Sequence, residues 1–232
     1  MKTIFSTVTA FLFLSSTLLA QEIIEKTMPL ENGQKAILDL KFAENIKVEN
    51  WNKKEVYIKA EVNINNNTLN KAHTMEISET DAAVKVITGF DEALIRSSKG
   101  NHCSETEGKQ SHFSGGEGYS ICSHINYTIF LPANVDLELE TISGNITISS
   151  RTGSVKAKSI SGFVDLSSPG NKKADFYLKS ITGEVYTDLD IEIANRQENP
   201  IVGYELKGKL NGGGEVISLE SISGNVYVRR DK

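Results

Sequence analysis

Thr141-Ile142-Ser143-Gly144-Asn145-Ile146 is a short phrase that recurs through the second half of this chain. It returns as Ser159-Ile160-Ser161-Gly162-Phe163-Val164, as Ser180-Ile181-Thr182-Gly183-Glu184-Val185 and as Ser221-Ile222-Ser223-Gly224-Asn225-Val226. The pattern is [ST]-I-[ST]-G-x-[IV], and its glycines stand 18, 21 and 41 residues apart. Because 41 is close to twice 20, the spacing predicts a worn copy near Ile201-Val202-Gly203-Tyr204.

A half-period lies between the copies. Gly153 is nine residues from both Gly144 and Gly162, with Val155 and Ala157 after it. Phe176 and Leu178, Ile191 and Ile193, and Ile217 and Leu219 occupy comparable places in later units. Each unit therefore holds two short strands and two turns, with no helix between. One such unit cannot bury its apolar face alone, but stacked units share a continuous core. The expected fold is all-β: a single-stranded parallel β-helix or β-solenoid with coils of about 18–21 residues, each resting about 4.8 Å above the last. Glycine suits the corner, where a positive φ is costly for other residues. Ile142, Ile160, Ile181 and Ile222 are expected to stack inward as a ladder, with the flanking Ser and Thr forming a second ladder at the turn.

Upstream of the repeats the alternation is that of ordinary strands. Leu38, Leu40 and Phe42 share one face, and Ile46 and Val48 oppose Lys47 and Glu49. Val56, Ile58, Ala60, Val62 and Ile64 make the strongest single strand signal in the chain. Met75–Ser78 and Ala83–Ile87 predict two more strands, and Ile125–Pro132 restores the alternation and leads into the repeats. Trp51, the only tryptophan, is expected to pack at the edge of this core rather than to bind anything. From Gly89 to Ser123 the pattern fails, and a loop this long inside a compact protein is a place to look for function.

The first twenty residues read as a secretory signal peptide: Lys2, then a short apolar region broken by Ser15, Ser16 and Thr17, then Leu18-Leu19-Ala20. No later stretch approaches the roughly 18 apolar residues of a membrane helix. The formal net charge of −5 with scattered lysines argues against nucleic acid, which demands a concentrated basic face. The organisation expected is thus a leader over 1–20, irregular β coils over 21–132 that include a disulfide loop over 89–123, and regular repeats over 133–232.

Cys103 and Cys122 are the only cysteines, and both fall in the irregular segment. In an exported protein they most simply form a disulfide, closing a loop of about 20 residues and removing about 3 kcal/mol of unfolded-state entropy. His102, His112 and His124 crowd the same segment, but the spacing fits no standard metal finger and a disulfide would consume both thiolates. No metal or cofactor is expected. Asp136, Glu138 and Glu140 alternate before the first repeat, and Asp188, Asp190 and Glu192 alternate later. Such rows are the wet face of a half-buried strand, a set of oxygen ligands for Ca²⁺, or the acidic wall of a glycan-cleaving groove, with Lys156 and Lys158 near the first of them. The wet face is the simpler reading, and no catalytic residue is assigned.

Ile-Ser-Gly-x-Val at a spacing near 20, with Gly212-Gly213-Gly214 leading into Ile217–Gly224, resembles the bacterial putative-adhesin domains. Ile46–Trp51 followed by Glu55–Ile58 looks like the opening of that family, as does Tyr127–Pro132 ahead of the first repeat. The resemblance implies a β-helical domain of largely unknown function in an exported or envelope protein, and it offers no catalytic residues to carry over. The expected function is an exported, non-enzymatic, adhesin-like binding or structural protein of the cell envelope. It would present its strand faces and long loop to a glycan, an envelope component or a protein. The alternative is a carbohydrate-active enzyme, a glycoside hydrolase or polysaccharide lyase, using the acidic strand faces.

Overall fold

The computed structural model describes residues 21–98, 110–114, 119–149, 151–194 and 203–231. The expected leader, Cys103, His102 and the Ile201-Val202 half of the worn repeat lie outside them. In chain order the strands of the first half are β1 (Glu22–Pro29), β2 (Lys35–Leu40), β3 (Phe42–Trp51), β4 (Glu55–Ile64), β5 (His73–Thr80), β6 (Ala83–Phe90), β7 (Gln110–Ser114) and β8 (Tyr119–Pro132). The second half adds β9 (Leu137–Ile148), β10 (Val155–Ser161), β11 (Val164–Ser168), β12 (Ala174–Ser180), β13 (Val185–Thr187), β14 (Glu192–Ile193), β15 (Tyr204–Leu210), β16 (Glu215–Ser223) and β17 (Val226–Arg230). One short helix, α1 (Glu92–Ser97), follows β6, with Asp91 accepting a cap hydrogen bond from the Leu94 amide.

The sheet is mixed and does not close, and it bends into two walls. The first wall runs β5–β6–β2–β9–β10–β16–β12–β15–β14, and it is parallel from β6 to β12. The second runs β1–β4–β8–β3–β9–β11–β17–β13, and it is parallel from β8 to β13. β9 belongs to both walls: its residues before Gly144 pair with β2 and β10, and those after it with β3 and β11. Alternate residues of the central strands meet in one continuous apolar core between the walls, from Leu38, Val56 and Ile58 to Phe176, Leu219 and Val228.

This architecture departs from a parallel helix wound in chain order in two ways. The strands at the outer ends of the walls are antiparallel, as in β1–β4, β4–β8, β5–β6 and β12–β15. The last coil, β16–β17, is inserted between β10–β11 and β12–β13 rather than stacked at the end. The cause is Tyr204–Leu210, where the worn repeat was expected. It runs back antiparallel along β12, and the turn at Asn211–Gly214 then sends the chain up the other side of the same strand. The 41-residue interval is therefore one coil and a returning strand, not two coils.

At the corner, the repeat phrase works differently from its sequence reading. The first Ser or Thr of each copy points into the core, where Thr141, Ser159, Ser180 and Ser221 are all buried. Each serine hydroxyl donates to a glycine carbonyl of the adjacent coil: Ser159 to Gly144 at 2.9 Å, Ser221 to Gly162 at 2.7 Å, and Ser180 to Gly224 at 2.7 Å. Thr141 donates to the Leu40 carbonyl at 2.6 Å, in the coil that lacks the phrase. These bonds satisfy backbone oxygens that the turn removes from the strand ladder. The glycines stack directly: Gly162 has φ +144° and Gly224 has φ +152°. A Cβ on Gly162 would stand 2.2 Å from the Gly144 carbonyl oxygen, and one on Gly224 would stand 2.4 Å from that of Gly162.

The isoleucines of the phrase do not line the core. Ile142 and Ile160 are 41% and 42% exposed, and Ile181 and Ile222 are half-buried on the same outer surface. The reason is the two-residue period of a strand: Val155, Ala157 and Ser159 share one face, so Ile160 must share the other with Lys156 and Lys158.

The open end of the core is closed by Arg151, which is 1% exposed. Its guanidinium donates to the Asn50 side chain at 3.1 Å and to the carbonyls of Pro132 and Val135 at 2.6 and 2.7 Å. Burial lowers its pKa to about 10, against the opposing pull of Asp136, so it stays charged at neutral pH. At the opposite flank the stretch Asn65-Asn66-Asn67 holds three consecutive left-handed residues, a conformation asparagine tolerates better than most. Asn65 there accepts from the Cys122 amide at 2.9 Å, which ties this turn to β8.

The described parts of the irregular segment carry regular structure that its composition does not suggest. β6 runs on to Phe90, α1 follows, and β7 pairs with the start of β8 as an antiparallel hairpin. Residues 119–124 belong to a core strand that pairs with β4, so the segment from 89 to 123 is not a detachable loop.

Candidate binding faces

With the core filled, the chemistry of this chain sits on the outer surfaces of the two walls. On the first wall, strand register aligns Asp39, Glu140, Lys158, Glu220, Lys179 and Glu205 in one row across six strands. Lys158 lies 3.5 Å from Glu220, Lys156 lies 3.5 Å from Glu140, and Lys35 lies 2.7 Å from Glu138. The hydrogen bond from Lys35 is the main reason the Glu138 carboxyl sits below the usual carboxylate range. A general acid for glycoside cleavage needs the opposite shift.

Each acidic row found in the sequence is engaged by its neighbours. Asp136 accepts from the Ser154 amide at 2.9 Å, and Glu138 and Glu140 face lysines. Asp188 and Asp190 do not lie on a strand with Glu192, because only Glu192–Ile193 forms β14. Asp188 accepts instead from the Arg230 amide at 2.6 Å, and Asp190 approaches the Arg230 guanidinium at 3.4 Å. Among the described residues no group of three or more His, Cys, Asp or Glu side chains is placed to hold a metal ion.

Cys122 is buried on β8, while Cys103 lies outside the described residues, so the expected pairing is not visible here. Of the three histidines in that segment, His124 pairs with Glu44, Nδ1 to Oε2 at 2.9 Å, and His112 falls on β7. His73, the fourth, is buried and meets the Tyr127 hydroxyl through Nε2 at 2.8 Å. Burial lowers the His73 pKa to about 4, so the ring is neutral at physiological pH, and burial pushes the Tyr127 phenol up.

The second wall carries an aromatic shelf. Trp51, Tyr57 and Phe130 sit on its outer face at the ends of β3, β4 and β8, with ring centroids 5.6 Å (Trp51–Phe130), 5.9 Å (Trp51–Tyr57) and 6.1 Å (Tyr57–Phe130) apart. Trp51 therefore lies outside the core rather than at its edge. Its parity in β3 sets this, since Ile46 and Val48 point inward and Trp51 falls on the opposite phase. The indole Nε1 donates to the Glu55 carbonyl at 2.9 Å, which fixes the ring plane. Tyr57 donates to the Glu25 carboxylate at 2.7 Å, a bond that raises the phenol's pKa. The Lys53 ammonium lies 4.8 Å from the Trp51 ring centre and 3.5 Å from Glu55. Thr27, Trp51, Lys53, Glu55, Tyr57 and Phe130 line an open hollow of about 350 Å³. The sequence held the signal for this shelf in the strand phases of Trp51, Tyr57 and Phe130, although the register that joins them was not visible there.

The crystal structure of a putative cell adhesion protein from Clostridium sporogenes superposes with a TM-score of 0.51 at 11% sequence identity, covering 90% of this chain and 100% of that one. A putative adhesin from Bacteroides fragilis aligns over 92% of this chain and 99% of its own, at 12% identity and a TM-score of 0.34. The first of these likenesses establishes a shared fold. No protein with a curated description matches this sequence. Among the described residues no helix is long and apolar enough to cross a membrane. The family model for the Toastrack DUF4097 domain matches residues 38–229, from β2 to the last strand, and this chain belongs to that family.

Proposed function

We propose that this chain is an exported, non-enzymatic, adhesin-like protein of the bacterial cell envelope, a solenoid-like stack whose outer faces hold a glycan or a protein. The observation that carries the reading is the shelf of Trp51, Tyr57 and Phe130. Three aromatic side chains gathered on the outside of a sheet contribute nothing to the core, and their polar surround of Glu25, Lys53 and Glu55 suits a ligand with one apolar face and a hydroxylated rim. A sugar ring has that character. The name of the Clostridium neighbour agrees with the reading. Catalysis is not assigned, because the carboxylates of the first wall are tied to lysines and amides rather than left as an opposed pair.

A glycan and envelope-extract binding screen tests this, with Trp51→Ala and Tyr57→Ala run beside the parent. We expect retention to fall at least tenfold in both variants while the melting temperature stays within a few degrees. Retention that survives both changes, or the absence of any retained ligand, would refute the reading. Aromatic substitution is a cleaner probe than deleting the segment before His124, which would remove part of a core strand. We also propose that Cys103 and Cys122 form a disulfide. A thiol titration of the unfolded, unreduced chain should find no free thiol, and two free thiols would contradict it.

A further inference from the structure

The row beside the charged one on the first wall is made of the repeat isoleucines. Strand register places Ile142, Ile160, Ile222 and Ile181 on successive strands β9, β10, β16 and the end of β12, in that spatial order. Four rungs spaced about 4.8 Å apart make an outward-facing apolar stripe about 15 Å long, exposed at Ile142 and Ile160 and half-buried at Ile222 and Ile181. Among the described residues, those next toward the corner are Ser161, Ser223 and Thr182, small and exposed. Isoleucine at one exposed position is ordinary, but four in register form a continuous patch of the kind that marks an interaction surface.

The charges beside the stripe say what fits on it. In spatial order the row reads Asp39, Glu140, Lys158, Glu220, Lys179, Glu205. Place a two-fold axis along the strand direction, in the plane of contact, midway between β10 and β16. A second copy laid face to face then brings its Glu220 over Lys158 and its Lys179 over Glu140, and the reciprocal pairs form by symmetry. The same rotation sets isoleucine on isoleucine along the stripe. In the following row it sets Lys156 against Ser218 and Glu138 against Tyr177. Within these two rows the one like-charged meeting, Asp39 with Glu205, falls at the outer ends, where water screens it; the row beyond, which sets Asp136 against Asp175 and Lys35 against Lys209, lies farther from the stripe. A row that is complementary to its own reversal, beside an apolar stripe centred on the same axis, is the signature of an isologous contact.

We propose that the isoleucine-bearing face of the first wall is where two copies of this chain pack, sheet against sheet, into a symmetric dimer. The dimer leaves the aromatic shelf free, since that lies on the other wall, so this contact is independent of ligand binding at Trp51.

Sedimentation equilibrium of the purified protein across a concentration series tests the proposal. The parent should reach a monomer–dimer equilibrium, and Ile160→Lys with Ile222→Lys should weaken it at least tenfold without altering the circular dichroism spectrum. A charge-swap pair provides a test that does not depend on the isoleucines. Lys158→Glu with Lys179→Glu in one chain, and Glu140→Lys with Glu220→Lys in another, should each be monomeric alone and should dimerise on mixing. A parent that stays monomeric throughout overturns the proposal. So does a dimer indifferent to the isoleucine changes, or a swapped pair that does not associate when mixed.

Discussion

The repeat half of the molecule, β9 to β17, and the hairpin half, β1 to β8, fill one core but hold their turns by different means. In the repeat half a turn is secured by what is missing. Gly144, Gly162, Gly224 and Gly183 stack carbonyl against Cα, and a serine hydroxyl from each later coil bonds the glycine carbonyl beneath it. In the hairpin half the equivalent corner has Leu40 where the hydroxyl would be and Ala43 where the glycine would be, and β2–β3 is held from one side by Thr141. Order elsewhere in that half comes from individual polar contacts, such as Asn65 with Cys122, Asn70 with the Ile64 amide and His73 with Tyr127. The contrast is between one device used repeatedly and several devices used once. Damage to the first should spread along the stack, whereas damage to the second should register as the loss of one group.

The largest effect should come from Gly162→Ala. The new Cβ would meet the Gly144 carbonyl at 2.2 Å, on a residue at φ +144°, in the middle of the glycine ladder. Overpacking and backbone strain together should cost about 3–5 kcal/mol, enough to unfold a marginal domain. Gly33→Ala is the control: Gly33 also has a positive φ, +89°, but nothing stands within 4 Å of the added atom. There the loss should be about 1 kcal/mol, the cost of the conformation alone. Urea unfolding of both variants decides the matter, and equal losses would show that crowding at the corner is unimportant.

His73 gives the next effect, and the hairpin half's own signature. Its folded pKa of about 4 lies below the ordinary value of 6.5, so the unfolded state binds the proton first as pH falls. The stability tied to keeping His73 neutral is fully present above pH 6.5, declines as the unfolded histidine protonates, and is spent once pH passes below about 4. The whole change is at most about 3 kcal/mol. His73→Phe removes the titrating group and leaves Tyr127 its contact with Thr88. From pH 7 to pH 4 the parent should therefore lose up to about 3 kcal/mol more unfolding free energy than the variant, and parallel curves would contradict the assignment.

Much of this was legible in the residues, and the errors have physical causes. The strand phases of β2, β4 and β8, and of β3 from Ile46 onward, follow from alternation alone, whereas at the β2–β3 corner Ala43 enters the core and Phe42 does not share the face of Leu38 and Leu40; the corner role of the repeat glycines follows from their spacing. The isoleucines face outward against their hydrophobicity because strand parity decides the face. Leu137, Leu139 and Thr141 alternate with Glu138, Glu140 and Ile142, and that phase puts the hydroxyl inside and the isoleucine outside. The spatial order of the coils could not be read at all. Every copy of the phrase presents a serine or threonine hydroxyl, a glycine and a glycine carbonyl in the same places, so the phrase itself does not say which coil docks on which. What selects β16–β17 as the inserted coil is the return of β15 along β12, which no repeat records. The aromatic shelf was hidden for a related reason, since Trp51, Tyr57 and Phe130 meet through strand register rather than through sequence proximity.

The smallest effect tests whether the corner hydroxyls matter apart from the glycines. Ser221 is fully buried, and its hydroxyl reaches the Gly162 carbonyl at 2.7 Å between two coils that are 59 residues apart in the chain. Ser221→Ala removes that donor and leaves little extra space, so the loss should be the net worth of one buried hydrogen bond, about 1–2 kcal/mol. Chemical denaturation measures it, with attention to the slope as well as the midpoint. A shifted midpoint with an unchanged slope means the hydroxyl ladder adds stability to a corner the glycines have already shaped. A reduced slope means that the stack separates into parts once one rung is cut, because coils that share no sequence neighbours are joined at the corner by these bonds. No change at all would leave the glycine contacts to hold the corner alone, and the serines of the phrase would then be there only because they are small enough to fit.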